Sequence, residues 1–566
     1  MKKLLLLLIF ISSGKHILHA QDYINPLDFR LLLSGSFGEL RSNHFHTGID
    51  IKTKGVEGQK VYAIADGYIA RIKVSSYGYG KAIYINHKDG RTSVYAHLKE
   101  FSTSIDSITK NEQYRRKSFE INIYPEPNTI NIKQGDIIAL SGNSGSSIGA
   151  HLHFEIRDTK TEQPLNPLDY GFKVKDIVPP IIKELKVFTI EDAIDRDNSN
   201  SRIYTTKKQD QHYIIDSTIH INKKIGLGIY TYDRSNDAYN KNGVNSIKVY
   251  IDSALIYFFK LDRLDFNKNK YINAHIDYQE KQNSKKKFHK CFKLPNNSLK
   301  NYKEIINNGY IRLKSNSIHR VKIEVSDSYN NISNLIFNIR LNNDKLNQKD
   351  KEDIVESESR TKLFSWNKAN IFEDDNFKIS LNQKSLYETI NFNYQKKDSI
   401  NGVYGNIHQC HYDYVPLHKP ANISIKSKVP NKLKERAYIA KIKDEKYNYI
   451  GGSWKNNYLT TKSSELGDFA IVTDTLKPII KGVNIYPGKE LRKQKTIKCT
   501  IEDKESGIRK YTATLNDQWI LMDYDHKRKL LKYEFDDIIK KGGNTFSLTV
   551  KDMVGNTTKY SAKFTY

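Results

Sequence analysis

A run of glycine and serine feeding directly into a His-x-His strand constrains this chain more than any other stretch: Gly142-Asn143-Ser144-Gly145-Ser146-Ser147-Ile148-Gly149-Ala150-His151-Leu152-His153-Phe154-Glu155. Glycine tolerates positive φ and close backbone approach, so the first part reads as a tight loop and the alternation after it as a strand. Successive strand side chains point to opposite faces, which puts His151 and His153 on one face and sends Leu152 and Phe154 into the core. Two imidazoles on one rigid face suit a metal ligand beside a proton-handling neighbour, provided other segments supply the remaining ligands.

One other segment does so. His46-Thr47-Gly48-Ile49-Asp50 carries an imidazole and a carboxylate four residues apart. In a straight strand they would be separated by roughly 13 Å, at about 3.3 Å per residue, too far to share an ion. Gly48 between β-branched Thr47 and Ile49 makes a poor helix, so a strand end bent at Gly48 is expected to turn both side chains inward. With His153 the set becomes His, Asp and His, three ligands with one coordination position left for water, which distinguishes a catalytic zinc site from a closed structural one.

Lys81-Ala82-Ile83-Tyr84-Ile85-Asn86-His87 and Thr92-Ser93-Val94-Tyr95-Ala96-His97-Leu98 are strand-like runs joined through Asp89-Gly90, a hairpin signal that puts His97 at the far end of the return strand. Together, His46…Asp50, Tyr95-Ala96-His97-Leu98 and Gly142-Asn143-Ser144-Gly145…His151-Leu152-His153-Phe154 resemble the signature of lysostaphin-type (LytM-like) zinc endopeptidases, which cleave the peptide part of peptidoglycan. The resemblance covers about residues 35–170, and every motif residue is present. It implies one Zn2+ on His46, Asp50 and His153, with His97 and His151 as a non-ligand catalytic pair. The implied chemistry is attack by a zinc-activated water, with either His97 or His151 accepting its proton and the other serving the oxyanion or the leaving amine. Asn143 is a candidate substrate contact, with turn chemistry as its alternative. His44 and His87 read as packing or surface residues. His408-Gln409-Cys410-His411 fits no common zinc spacing.

Met1-Lys2-Lys3, the apolar run Leu4 to Ile11 and the small-residue site at Leu18-His19-Ala20 read as a signal peptide over residues 1–20. The apolar run is shorter than the ~20 residues a membrane span needs, so export to the periplasm or cell envelope is expected, with secretion as an option and no transmembrane segment after cleavage. Cys291, Cys410 and Cys499 are odd in number and far apart, which excludes a disulfide framework. The net charge of +27 (91 basic minus 64 acidic residues) is spread along the chain with no basic cluster interleaved with aromatics, and with the leader it excludes a nucleic-acid partner.

The class is mainly β: a β-sheet-rich LytM-type peptidase domain at residues 21–178, then three β-sandwich-like modules, the first and last immunoglobulin-like. Val178-Pro179-Pro180-Ile181-Ile182-Lys183 opens the first (179–342), and Leu476-Lys477-Pro478-Ile479-Ile480-Lys481 echoes it at the start of the last (475–566). Their ends echo too, in Val325-Ser326-Asp327 and Val550-Lys551-Asp552, which indicates duplication. Between them lie a charged flexible linker (343–364) and another β domain (365–474). No strongly periodic helix is expected. An insertion at residues 101–131 is expected to wall the cleft, and another at 267–308 reads as polar.

The functional reading is an exported peptidoglycan endopeptidase whose partners are peptidoglycan peptides, with envelope proteins as possible partners of the β modules. The alternative is a non-catalytic regulator that binds the wall or activates other hydrolases on the same fold; a third is a scaffold in which the β modules matter most.

Overall fold

The computed structural model describes residues 22–190, 201–222, 224–342 and 360–566. The expected leader lies outside these residues, as does the expected linker up to residue 359. The linker's last five residues are not flexible chain. Arg360–Phe364 form a strand paired with Ile390–Lys397, because Phe364 is fully buried and anchors them.

The N-terminal part contains, in order, β1 (Leu33–Gly35), β2 (Ile49–Lys52), β3 (Lys60–Tyr62), β4 (Gly67–Val74), β5 (Lys81–His87) and β6 (Arg91–Leu98). Then come β7 (Glu100–Phe101), α1 (Thr103–Arg116), β8 (Ile121–Ile123), β9 (Asn131–Ile132), β10 (Ile137–Leu140), β11 (His151–Asp158) and β12 (Pro164–Leu165). The main sheet runs β1-β2-β11-β6-β5-β4-β8, with β12 on β11 and β9 on β4; β3, β10 and β7 form a smaller sheet. Ile49, Ile51, Ile69, Ile72, Ile83, Ile85, Tyr95, Leu152, Phe154 and Ile156 are fully buried. Residues of this kind fit a pleated, half-buried surface, and each contributes about 1.5–3 kcal/mol when buried. The hairpin at Asp89-Gly90 forms as its sequence requires, joining antiparallel β5 and β6.

Helix α1 lies in the stretch read as an insertion, and it is not strongly periodic. Its buried stripe is Ile105, Thr109 and Gln113, where Thr109 bonds back to Ile105 O and Gln113 Nε2 donates to Phe119 O at 2.6 Å. One apolar residue in three leaves too weak a periodic signal to read. Among the described residues, none of its hydrogen bonds reaches the predicted site. Instead Tyr114 bonds Asp536 and packs edge-on against Trp519, both in the terminal module.

Past residue 180 the chain forms pairs of sheets: four- and eight-stranded in the first module, six- and five-stranded in the next, four- and five-stranded in the last. One buried cluster runs continuously from the N-terminal part into the first module, whereas the two later modules have clusters of their own. The insertion at 267–308 contributes to that shared core through Tyr271, Ile272, Ala274, Ile276, Phe292 and Leu294, so its polar appearance misleads. Its apolar minority faces inward together with His275 and His289, which bond each other at 3.0 Å. The three cysteines are free and buried. Among the described residues no helix is long and apolar enough to cross a membrane.

Candidate metal centre

Strand β11 lies between β2 and β6, and its register sets His153 opposite Asp50 on one side and Ala96 on the other. A one-residue slip would carry both histidines to the opposite face. The chain bends into β2 at Gly48, where a Cβ would meet Phe154 O at 2.3 Å, so only glycine lets the His46 segment approach β11. His46 and Asp50, far apart in a straight strand, thereby come together: His46 Nε2 is 3.0 Å from Asp50 Oδ1. His153 Nδ1 lies 2.9 Å from the same carboxylate oxygen and 3.0 Å from His46 Nε2. All three residues are buried.

The outward-facing atoms of this triangle are each held. His46 Nδ1–H donates to Ser36 O at 2.8 Å, and His153 Nε2–H donates to Glu155 Oε1 at 2.8 Å. Asp50 Oδ2 accepts from Arg41 Nη2 at 2.8 Å. Both imidazoles therefore turn a lone pair inward, against a carboxylate oxygen. Three electron-rich atoms facing one another suit a positive charge between them, a proton or a metal ion. A tetrahedral zinc site with bonds of ~2.0–2.1 Å has edges of about 3.3 Å, and the donor triangle is close to that size. Burial alone would lower His153, but Asp50 and Glu155 outweigh it and push its imidazole up to about 9. Asp50 is likewise held well below the usual carboxylate range: burial opposes this, and the surrounding histidines overcome it. The residues fit a divalent metal ion in chemistry and in spacing.

The other two histidines flank the triangle. His151 Nε2 is 3.4 Å from Asp50 Oδ1, and its Nδ1–H is fixed by Gly149 O at 2.8 Å. His97 stands at the end of β6 with φ +59, a left-handed conformation uncommon outside glycine and asparagine, which re-aims its ring at the site. Its Nδ1–H donates to Ser144 O at 2.9 Å, and its ring centroid is 4.8 Å from that of His151. Burial, then the neighbouring His153 and His151, lowers His97 to about 3, so its ring is neutral at neutral pH. The Gly-Ser loop is shaped by Gly145 (φ +69), where a Cβ would lie 2.4 Å from Gly78 O.

All five residues expected in the site thus converge, three as the donor triangle and two beside it. Asn143 lies in the Gly-Ser loop, where its O and Oδ1 accept from Lys527 Nζ of the terminal module, the latter at 3.4 Å; Ser147 O accepts from the same ammonium at 3.0 Å. Beside this contact, Tyr77 and His526 bring their rings within 4.3 Å. His87 is buried and spans Asp66 O and Ser93 Oγ, and His44 is exposed, so both stay outside the site. His408 bonds Tyr394 at 2.8 Å, and no metal-ligating group among the described residues includes it, Cys410 or His411.

Sequence reasoning missed Glu155, although alternation places it on the face of His151 and His153. This fully buried carboxylate accepts from Thr47 Oγ1 at 2.6 Å, Arg157 Nε at 2.6 Å and His153. Arg41 and Ser36 were missed as well, and neither carries a local signal.

Residues 44–114 match Peptidase family M23, and residues 361–474 match the Zu5-like domain. The chain is 31% identical over 138 residues to the DD-carboxypeptidase/endopeptidase Mpg of Neisseria meningitidis, covering 24% of this chain and 25% of that relative. It is also 31% identical over 116 residues to lipoprotein NlpD of Yersinia enterocolitica, covering 20% of this chain and 93% of NlpD. A solved structure it resembles is the catalytic domain of lysostaphin from Staphylococcus simulans, at 23% identity and a TM-score of 0.18, covering 24% of this chain and 87% of that domain. The chain therefore spans about a quarter of the length of Mpg and nearly all of NlpD.

Proposed function

Because the chain belongs to peptidase family M23 through its N-terminal domain, we propose that it is an exported, zinc-dependent endopeptidase that hydrolyses the peptide cross-links of peptidoglycan. The observation that carries this reading is the inward-facing triangle of His46 Nε2, Asp50 Oδ1 and His153 Nδ1, each outer atom pinned, with His97 and His151 intact beside it. A single zinc ion held there supplies Lewis acidity to water and to a scissile carbonyl. His97 and His151 each spend Nδ1–H on a backbone carbonyl, which leaves Nε2 of each to take or return a proton at the reacting atoms. Asn143 of the Gly-Ser loop is the candidate substrate contact.

The deciding experiment is digestion of purified sacculi with the full chain, with and without a chelator, reading released muropeptides by mass. Chelator-sensitive release that disappears in His153→Ala (metal lost) and in His151→Ala (metal kept) is expected; no release by the zinc-loaded protein would sink the hydrolase reading. One observation favours the alternative, a wall-binding regulator: Lys527 of the terminal module sits on the carbonyls of Asn143 and Ser147, in the loop that leads into β11. That reading predicts sacculus binding without release of fragments.

A further inference from the structure

Where the first module meets the peptidase domain, Asp176, Asp233 and Asp327 bring one carboxylate oxygen each within 4.8 Å of the others. The three come from different elements: the connector before Pro179, the end of strand Lys224–Tyr232 and the end of strand Ile318–Ser326. Asp233 is only 4% exposed, and its Oδ1 is buried without a hydrogen-bond partner. An orphaned carboxylate oxygen in such a place is costly unless a cation meets it. Among the ion pairs of the described residues, none involves any of the three. Burial, then the charges of Asp176 and Asp327, pushes Asp233 up to about 8.

We propose that Asp176, Asp233 and Asp327 form a calcium-class divalent cation site that ties the connector after the peptidase domain to the first module. The donor set is oxygen only, which favours a hard ion over zinc. Hydrogen bonds already align the parts. Asn331 Nδ2 donates to Asp327 Oδ2 at 2.7 Å and to Asp176 O at 3.2 Å, while Tyr329 OH takes Val174 N–H at 3.1 Å. The terminal module repeats the cluster as Asp474, Asp503 and Asp552, with Asn556 in the place of Asn331. There, however, Ser506 Oγ and N–H satisfy Asp474 Oδ2 and, among the described residues, none of the three carboxylates has a buried oxygen without a hydrogen-bond partner, so the proposal is confined to the first module.

The test is calorimetric titration of calcium chloride into the full, zinc-saturated chain, with thermal melts alongside. Wild type is expected to bind calcium in the range of extracellular modules, Kd about 10⁻⁴–10⁻³ M, and to melt higher with calcium present. Asp233→Asn, which keeps the shape and relieves repulsion, is expected to stay folded, lose about tenfold or more in affinity and lose the melting rise. Asp176→Asn, at a less buried position, provides a second reading with the same expectation. A wild type indifferent to calcium, or a response unchanged in both folded variants, overturns the proposal.

Discussion

Asn269 of the first module grips both backbone groups of Phe45, the residue just before His46: its Oδ1 accepts the Phe45 N–H at 2.6 Å and its Nδ2 donates to the Phe45 carbonyl at 3.2 Å. Other contacts from that module reinforce the same segment. Gly243 N–H donates to Ser36 Oγ at 2.9 Å, and Ser36 O is the acceptor that orients His46; Lys287 and Lys281 reach Leu40 O and Ser42 O. The module that follows the peptidase domain is thus part of the scaffold of the metal centre, consistent with the continuous core between them.

Replacing Asn269 by alanine is expected to leave two buried backbone groups of Phe45 unpaired, at a cost of about 1–3 kcal/mol each. Thermal melts should show the loss, and competition against a zinc chelator should show weaker metal binding, although the substitution lies outside the peptidase domain. Equal zinc affinity in wild type and Asn269→Ala would mean that the clamp supports the fold without orienting His46.

Glu155→Gln keeps an acceptor for His153 but removes the charge facing Arg157, which is 4% exposed. Breaking a buried ion pair typically costs about 3–5 kcal/mol, and loss of an outer partner of a metal-ligating histidine lowers metal affinity about 10–100-fold. A variant that melts earlier yet binds zinc as tightly as wild type would restrict Glu155 to packing.

The placement of the five residues was legible in local rules, alternation in β11, the hairpin at Asp89-Gly90 and the bend at Gly48, while their grouping into ligands and a catalytic pair came from the resemblance to lysostaphin-type endopeptidases. Helix α1 was not, since Thr109 and Gln113 occupy its buried stripe through hydrogen bonds to backbone carbonyls. The clamp on Phe45 was out of reach for another reason: its partner is 224 residues away, and asparagine has no apolar period to follow. The shared core of the first two units was hidden likewise, because an insertion rich in polar residues buries its few aromatic and aliphatic ones.

Lys527→Ala removes an exposed contact, so stability should change by no more than about 1 kcal/mol. If the terminal hairpin narrows the entrance, initial rates on intact sacculi should rise more than rates on a short soluble peptide, which needs less room at Asn143 and Ser147. An unchanged ratio of the two rates would place the hairpin clear of the substrate's path.

Acid should unfold the β modules through histidines remote from the metal centre. Burial, the leading cause for each, lowers His289 to about 3 and His408 and His411 to about 4, and all three are at most 6% exposed. In the unfolded chain these imidazoles take up protons near their ordinary value of about 6.5, while the folded state keeps them neutral down to its lower values. Between those limits the unfolded state binds more protons, so stability is full above pH ~6.5 and falls as the pH drops towards ~4, by up to about 1.4 kcal/mol per pH unit for each histidine. Denaturant midpoints measured from pH 7 to 4.5 in zinc-saturated protein should fall accordingly, and His408→Gln together with His411→Gln should flatten the decline for the module that carries them. A slope unchanged by that double substitution would assign the acid sensitivity to other groups.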